Sequence, residues 1–322
     1  MIRVAIIGYG NLGRGVELAV PQAKDMALTG VFTRREPGSI GASSPVYPVS
    51  ALPDFAGQID VCLLCGSSTN DLMEQAPMAA RLFHTVDAFD NHARAGEYVA
   101  LVDEAARSGG HTAIVCSGWD PGLFSLNRVL MDAVLPQGGT QTFWGRGVSQ
   151  GHSAAVRELP GVQDAVQYTI PKPDAVDLAR RGEGGRLTAR DKHRRLCYVV
   201  AKEGADEEEI TRRIVTMRHY FDEYDTTVVF VSQQELNLRH KAMPHAGQVI
   251  RTGATAPGRA QNMEFSLTLD SNPEFTASVM VAYARAAMRL AEQGVSGAQT
   301  VLDVPAALLS PLSREELINR LL

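Results

Sequence analysis

The sequence contains no apolar run of the roughly 18 residues that a membrane-spanning helix takes, so no membrane span is expected. It also has no run of Lys and Arg dense enough to track a phosphate backbone. The most basic stretch, RRGEGGRLTARDKHRR at 180–195, is interrupted by glycines and acids, and the net charge is -5, which speaks against a nucleic-acid or anionic-membrane binder. Cysteine is scarce at four residues, and although Cys62 and Cys65 have C-x-x-C spacing, no second Cys/His pair completes a zinc site. No H-x-x-x-H occurs either, so no metal is expected. The cysteines sit in or beside apolar strand-like runs, as buried free thiols do in a reducing compartment. Met1 leads directly into a strand, with no leader segment, and a cytoplasmic location is expected. Internal repeats and low-complexity segments are absent as well.

An alternating pattern is present. The apolar run IRVAIIG (2–8) reads as a buried parallel strand, and NLGRGVELAV has helical spacing that Pro21 ends. Strands are then expected at 26–34, 59–66, 84–90 and 111–118, with helices from about Asn70 and over 94–110. Strands alternating with helices across short connections describe a Rossmann-type parallel sheet, hence an α/β domain. After Gly118 the pattern changes. QTFWG, AVQYTI, RRLCYVVA, TTVVFVS, HAGQVIRTG and MEFSLTLD are strand-like, and only DEEEITRRIVTM (206–217) reads as a clear helix among them. This is the pattern of an α+β mixed-sheet domain. The most loop-like stretch is RTGATAPGRAQN at 251–262. A long helix (273–294) and a capping box of Ser313 and Glu316 close the chain. Two domains are expected for 322 residues: 1–118, completed by helices at about 273–322, and 119–272.

Gly8, Gly10 and Gly13, with Tyr9, Asn11 and Leu12 among them, spell G-x-G-x-x-G between a predicted strand and a predicted helix. The first glycine permits a tight turn, the second lets backbone approach a pyrophosphate, and the third lets the helix pack close. The helix N-terminus then offers N–H groups to the anion. About 20 residues on, an NAD binder usually presents an acid to the ribose 2′-OH. Here Thr33, Arg34 and Arg35 stand in that place, and a guanidinium forks onto a 2′-phosphate, so NADP(H) is the expected cofactor. Cys65 and Gly66 end the next long strand and Ser67, Ser68 and Thr69 follow it, where ligands bind in open α/β sheets. Hydroxyls there suit ribose or phosphate, and equally suit a helix cap.

Other polar residues gather where later strands end. Asp87 and Asp90 flank AF in VDAFDNH, Trp119 and Asp120 sit in SGWDPG, and Trp144 precedes GRGVSQGHS. Carboxylates beside aromatics and glycines suit an ammonium group, while each Asp alone could serve a turn. Thr169, Arg195 and His245 lie in or beside later strand-like runs, and Asn272 follows one. A buried Arg195 needs a partner, which a substrate carboxylate would supply; His245 equally suits a surface loop.

Taken together, RVAIIGYGNLGR, FTRR, TVDAFDNH, SGWDPGLFSLNR, TFWGRGVSQGHS, GVQDAVQYTIP, MPHAGQVI and NPEFTAS resemble the meso-diaminopimelate D-dehydrogenase family over nearly the whole chain. The resemblance implies an NADP-dependent oxidative deamination of the D-centre of meso-2,6-diaminopimelate, in lysine and cell-wall precursor synthesis. By the same resemblance Asp90 and Asp120 hold the reacting amino end as catalytic residues, with Trp119, Trp144, Gln150 and Gly151 shaping that site. Thr169, Arg195, His245 and Asn272 bind the distant carboxylate, and the family is homodimeric through its second domain. Two other readings share the cofactor half: an NADP-dependent dehydrogenase or reductase of another amino acid or a semialdehyde, and a non-catalytic NADPH sensor. The first would differ at Trp119, Asp120 and the SQGHS stretch, and the second would keep GYGNLG and TRR but lack the Asp and Arg residues gathered around the later strands.

Overall fold

Strands buried on both faces are apolar without alternation, and β1 (Ile2–Ile7) is of this kind, with Val4 to Ile7 wholly buried. The computed structural model describes all of residues Met1–Leu322. After β1 come α1 (Asn11–Ala19), β2 (Met26–Thr33), β3 (Val46–Pro48), β4 (Val61–Leu64), α2 (Leu72–Ala80), β5 (His84–Asp87), α3 (Ala95–Gly109) and β6 (Thr112–Val115). Next are α4 (Leu123–Val134), β7 (Gly138–Trp144), β8 (Gly147–Val148), α5 (Gln150–Arg157), β9 (Val162–Pro171), α6 (Pro173–Arg180) and α7 (Ala189–Lys192). Then follow β10 (His193–Ala201), α8 (Glu207–Val215), β11 (Asp225–Phe230), α9 (Gln233–Arg239), β12 (His245–Ala256) and β13 (Arg259–Leu269). The chain closes with α10 (Asn272–Glu292), β14 (Gly297–Thr300) and α11 (Arg314–Leu321). It divides into two units, Met1–Leu126 with Pro273–Leu322, and Asn127–Asn272. The first break falls inside α4, eight residues beyond Gly118, because Phe124 N–H still bonds the Trp119 carbonyl and Leu123 still packs on the first unit's core.

In the first unit seven parallel strands lie in the order β14-β6-β5-β4-β1-β2-β3. Successive side chains of a strand point to opposite faces, and the cores divide accordingly. Val4 and Ile6 join Val31, Leu63 and Ile114 under α1 and α10, whereas Ala5 and Ile7 join Phe32, Leu64 and Val115 under α2 and α3. The result is the expected Rossmann-type sheet with helices on both faces. Strand order reverses between β1 and β4, so the carboxyl ends of these two strands frame the topological switch point. Gly110 stops α3 in the left-handed region at φ +71. At the carboxyl end of the chain, Ser313 and Glu316 form the reciprocal cap of α11.

The second unit holds a four-stranded mixed sheet, β11-β10-β9-β8, and a three-stranded antiparallel one, β13-β12-β7. In the first of these, β9 and β10 run antiparallel with Thr169 opposite Arg195, and β11 runs parallel to β10 with Thr226 opposite Arg195. Two expectations from sequence need correction. Residues 251–262 are not a loop but the paired end of the β12–β13 hairpin, Arg251 facing Met263, turned at Gly258 with φ +73. Small and polar residues exposed on both faces left no alternation to read there. Nor is α8 the only helix among these strands, since α5, α6 and α9 also form. Each spans only seven or eight residues, and α9 buries Leu236 alone, so periodicity had too little to register.

Candidate functional site

The glycine loop sits at the switch point. Gly8 has φ +94, and a Cβ on it would press on the backbone of Cys65 and Gly66 at 3.2 and 3.3 Å, so glycine lets the ends of β1 and β4 close together. On Gly13 a Cβ would lie 2.2 Å from the Gly8 carbonyl oxygen, which is why α1 can start so near the strand. Gly10 is the N-cap of α1; no side chain caps the helix there, and the space above Gly10 is open. A helix N-terminus that faces open space without a side-chain cap fits a pyrophosphate.

The ribose end is built from β2 and β4. Thr33 is buried, and its hydroxyl accepts the Arg35 N–H at 3.1 Å. The Arg35 guanidinium donates to the Tyr9 carbonyl, which holds the arginine against the loop. Tyr9 in turn donates its hydroxyl to Glu17; burial, then that carboxylate, push the phenol up to about 12, so it stays a donor. Arg34 is mostly exposed and paired with Asp71, whose other oxygen accepts the Ser67 N–H at 2.8 Å. Burial pushes the Asp71 carboxyl up, but the Ser67 N–H and Arg34 outweigh it and leave it below the ordinary carboxylate range. Ser67 also accepts the Asn70 N–H at 3.2 Å and so caps a turn, while Ser68 accepts the Asp90 N–H at 3.0 Å. Thr69 is exposed beside them. The sequence showed no role for Asp71.

Asp90 is exposed beyond the end of β5. Asp87, three residues earlier, is wholly buried and has a different task. Its Oδ1 accepts N–H groups of Phe89 at 2.9 Å and Cys116 at 3.2 Å, and its Oδ2 accepts the Tyr98 hydroxyl at 2.7 Å. This ties the turn carrying Asp90 to the turn after β6. Burial raises the Asp87 carboxyl to about 6, against the pull of those three donors. Beyond β6, Trp119 is buried edge-on against Phe124, with ring centroids 5.1 Å apart, and Asp120 is half-buried. A Cβ on Gly122 would lie 1.6 Å from the Gly118 carbonyl oxygen, so the turn that presents Asp120 requires glycine there.

In the second unit the predicted residues fall into two groups. Trp144 is partly exposed; its N–H is accepted by His193 Nε2 at 2.9 Å, and the two rings stack. Burial, then the charges of Arg195 and Lys192, push His193 down to about 3, so it stays neutral and able to accept. Gln150 and Gly151 are exposed in the first turn of α5, which Ser149 caps. Thr169 and Arg195 are buried together, and the Arg195 guanidinium donates to the Thr169 hydroxyl. The guanidinium carbon lies 4.0 Å from the centre of the Tyr224 ring, and no acidic side chain pairs with it. His245 is not a surface-loop residue: it opens β12 and is buried. Its Nδ1 contacts the Ala246 carbonyl at 2.8 Å, and a carbonyl only accepts, so Nδ1 carries a proton. A Cβ on Gly147 would lie 2.4 Å from the His245 ring, so glycine there makes room for the imidazole. Asn272 is half-buried and opens α10, its N–H bonded to the Met243 carbonyl at 2.9 Å.

Residues 147–151, GVSQG, have the spacing of a hydrolase nucleophile elbow. The geometry is different. Ser149 has φ -88, its oxygen caps α5, and its partner His152 is pushed down to about 4 by burial and then by Arg195. A weakened base and a relaxed serine backbone give no activated nucleophile.

Comparisons with known proteins agree over the full chain. A family model described as the diaminopimelic acid dehydrogenase C-terminal domain matches residues 118–271. The meso-diaminopimelate D-dehydrogenase of Lysinibacillus sphaericus is 55% identical over 323 residues, covering 100% of this chain and 99% of its own. Among solved structures, the C. glutamicum DAP dehydrogenase in complex with DAP is 48% identical with TM-score 0.95, covering 100% of this chain and 99% of its own. An engineered D-amino acid dehydrogenase bound to NADP+ is 46% identical with TM-score 0.90, at 100% and 99% coverage.

Proposed function

The chain belongs to the meso-diaminopimelate D-dehydrogenase family, and from that premise we propose that it catalyses the reversible, NADP-dependent oxidative deamination of meso-2,6-diaminopimelate at its D-centre. The products are L-2-amino-6-oxopimelate, which cyclises to tetrahydrodipicolinate, and ammonium; the reductive direction serves lysine and cell-wall precursor synthesis. When bound, the nicotinamide accepts the hydride from the D-carbon, and the loop from Gly8 to Gly13, Thr33, Arg34, Arg35 and residues 65–69 hold the rest of the coenzyme.

An ammonium group does not release hydride readily, so the amine must first lose a proton. Asp90 and Asp120 hold that nitrogen, and one of them takes the proton, directly or through a water. The same carboxylates stabilise the positive charge that develops as the iminium forms. Water then adds to the iminium carbon and ammonia leaves. Trp119, Trp144, Gln150 and Gly151 shape the space around the reacting end. Thr169, Arg195, His245 and Asn272 take the distant L-carboxylate, which fixes which of two amino-acid ends reacts.

The observation that carries this assignment is Arg195, a buried guanidinium that no acidic side chain of the chain neutralises. Such a charge calls for an anion supplied from outside the fold. The test is NADPH formation followed by absorbance, with meso-diaminopimelate, its LL-isomer and simple D-amino acids, and with NADP+ and NAD+ side by side. Reduction of NADP+ by the meso compound and not by the LL-isomer is expected. Equal rates with both isomers would remove the stereochemical part of the proposal. We further read the protein as a cytoplasmic homodimer, on the family resemblance; a solution mass of one chain would overturn the dimer.

A further inference from the structure

Side chains two apart on a strand share a face. On the face that carries Arg195, β9 contributes Ala165, Gln167 and Thr169, β10 contributes Cys197 and Val199, and β11 contributes Thr226, Val228 and Phe230, with Thr169 and Thr226 flanking Arg195 in register. Most of this face is apolar core. Gln167 lies fully buried next to that apolar part. Its Oε1, the Arg195 Nε and the Thr226 Oγ1 are all buried, and none finds a hydrogen-bond partner in the chain. Buried polar atoms are paired in more than about nine cases in ten, so three unpaired ones on neighbouring strands need a reason other than stability.

Thr169 suggests the reason. A hydroxyl has two acceptor lone pairs and one proton. The Thr169 oxygen already accepts from Arg195 Nη1, and the Gln167 amide nitrogen lies 3.5 Å from it. With both lone pairs facing donors, the remaining proton is directed outward. The Tyr224 ring braces the guanidinium on another side.

We propose that Gln167 and Tyr224 are positioning residues for the anion subsite: they hold the Thr169 hydroxyl and Arg195 in the one arrangement in which both donate to a carboxylate. This rests on reading Arg195 as the anchor of the substrate's distant carboxylate. A polar layer kept for direction rather than stability has a distinct signature. Because Gln167 Oε1 has no partner to lose, Gln167→Met removes an unsatisfied atom and leaves the melting temperature unchanged or higher. The KM for meso-diaminopimelate is expected to rise by about twofold to tenfold, the worth of the one net neutral hydrogen bond that Gln167 gives the Thr169 hydroxyl. Both kcat and the Kd for NADP+ stay within about twofold, because the lost interaction acts on substrate binding alone. Thr226→Val, nearly the same shape, removes a hydroxyl that bonds nothing in the chain and serves as the control, with KM within about twofold of the wild type.

The experiment is steady-state kinetics with meso-diaminopimelate, NADP+ titration and thermal melting of the wild type, Gln167→Met, Thr226→Val and Arg195→Met. Unchanged KM in Gln167→Met overturns the proposal, and so does a parallel loss of kcat, NADP+ affinity and melting temperature, which would mark a purely structural role. Arg195→Met separates the two readings. If it leaves KM unchanged, the anchor assignment itself fails; if it raises KM while Gln167→Met does not, the positioning proposal alone fails.

Discussion

Arg34 lies at the end of β2, its side chain 62% exposed and its guanidinium on Asp71. An exposed ion pair of this kind is worth about 0–1 kcal/mol, so a doubly charged 2′-phosphate can displace the carboxylate. Arg35 is less free to move, held by the Thr33 hydroxyl and the Tyr9 carbonyl. The two arginines that stand together in the sequence therefore do different work: one is fixed beside the loop, and the other is available to turn. We expect Arg34→Ala to weaken NADP+ binding by about 1–3 kcal/mol, the worth of a charge-assisted hydrogen bond, with NAD+ binding unchanged. Calorimetric titration with both coenzymes checks this, and an unaltered Kd for NADP+ would rule out Arg34 as the phosphate ligand.

Among the elements, the ends of β5 and β6 depend on Asp87, whose carboxylate binds Phe89, Cys116 and Tyr98. Burial sets its carboxyl at about 6 against an ordinary 3.8. A group raised in the folded state binds more protons there than in the unfolded chain across that interval. Its contribution to stability is therefore fully present below roughly pH 4 and lost as pH rises through about 6, a difference of about 3 kcal/mol. Asn fits the same site, because Oδ1 accepts both backbone N–H groups and the amide can donate to the tyrosine oxygen. Melting curves between pH 4 and 8 should show Asp87→Asn more stable than the wild type above pH 6, with the difference vanishing toward pH 4. A constant difference across that range would contradict the burial of an ionisable Asp87.

The same elements show how far sequence reading reaches. The parallel strands were legible because unbroken apolar runs such as VAII and VCLL admit few other structures, and the Gly8–Gly13 spacing placed the phosphate loop with them. Short strands carried no such signal. In β14, GAQT has one small apolar residue, and its place beside β6 comes from tertiary pairing of Gly297 with Thr112. Within the candidate site, Arg195 stood out as a charge beside an apolar run. Asp71 and Gln167 did not: Asp71 meets Arg34 across the loop, and Gln167 is buried with its amide toward Thr169, neither of which one strand read alone shows.

At the scale of the whole molecule, a substrate whose two ends differ only in hand has to be taken in one direction, and we propose that Asp90 and Asp120 act at its reacting end while Arg195, with Thr169 and His245, anchors its distant carboxylate. Every other residue role depends on this proposal. Its most direct test is isotope transfer: meso-diaminopimelate deuterated at either the D- or the L-α-carbon is turned over with NADP+, and the reduced coenzyme is examined by mass spectrometry. The account predicts deuterium in NADPH from the D-labelled compound and none from the L-labelled one. Label arriving from the L-carbon, or from neither, would contradict it.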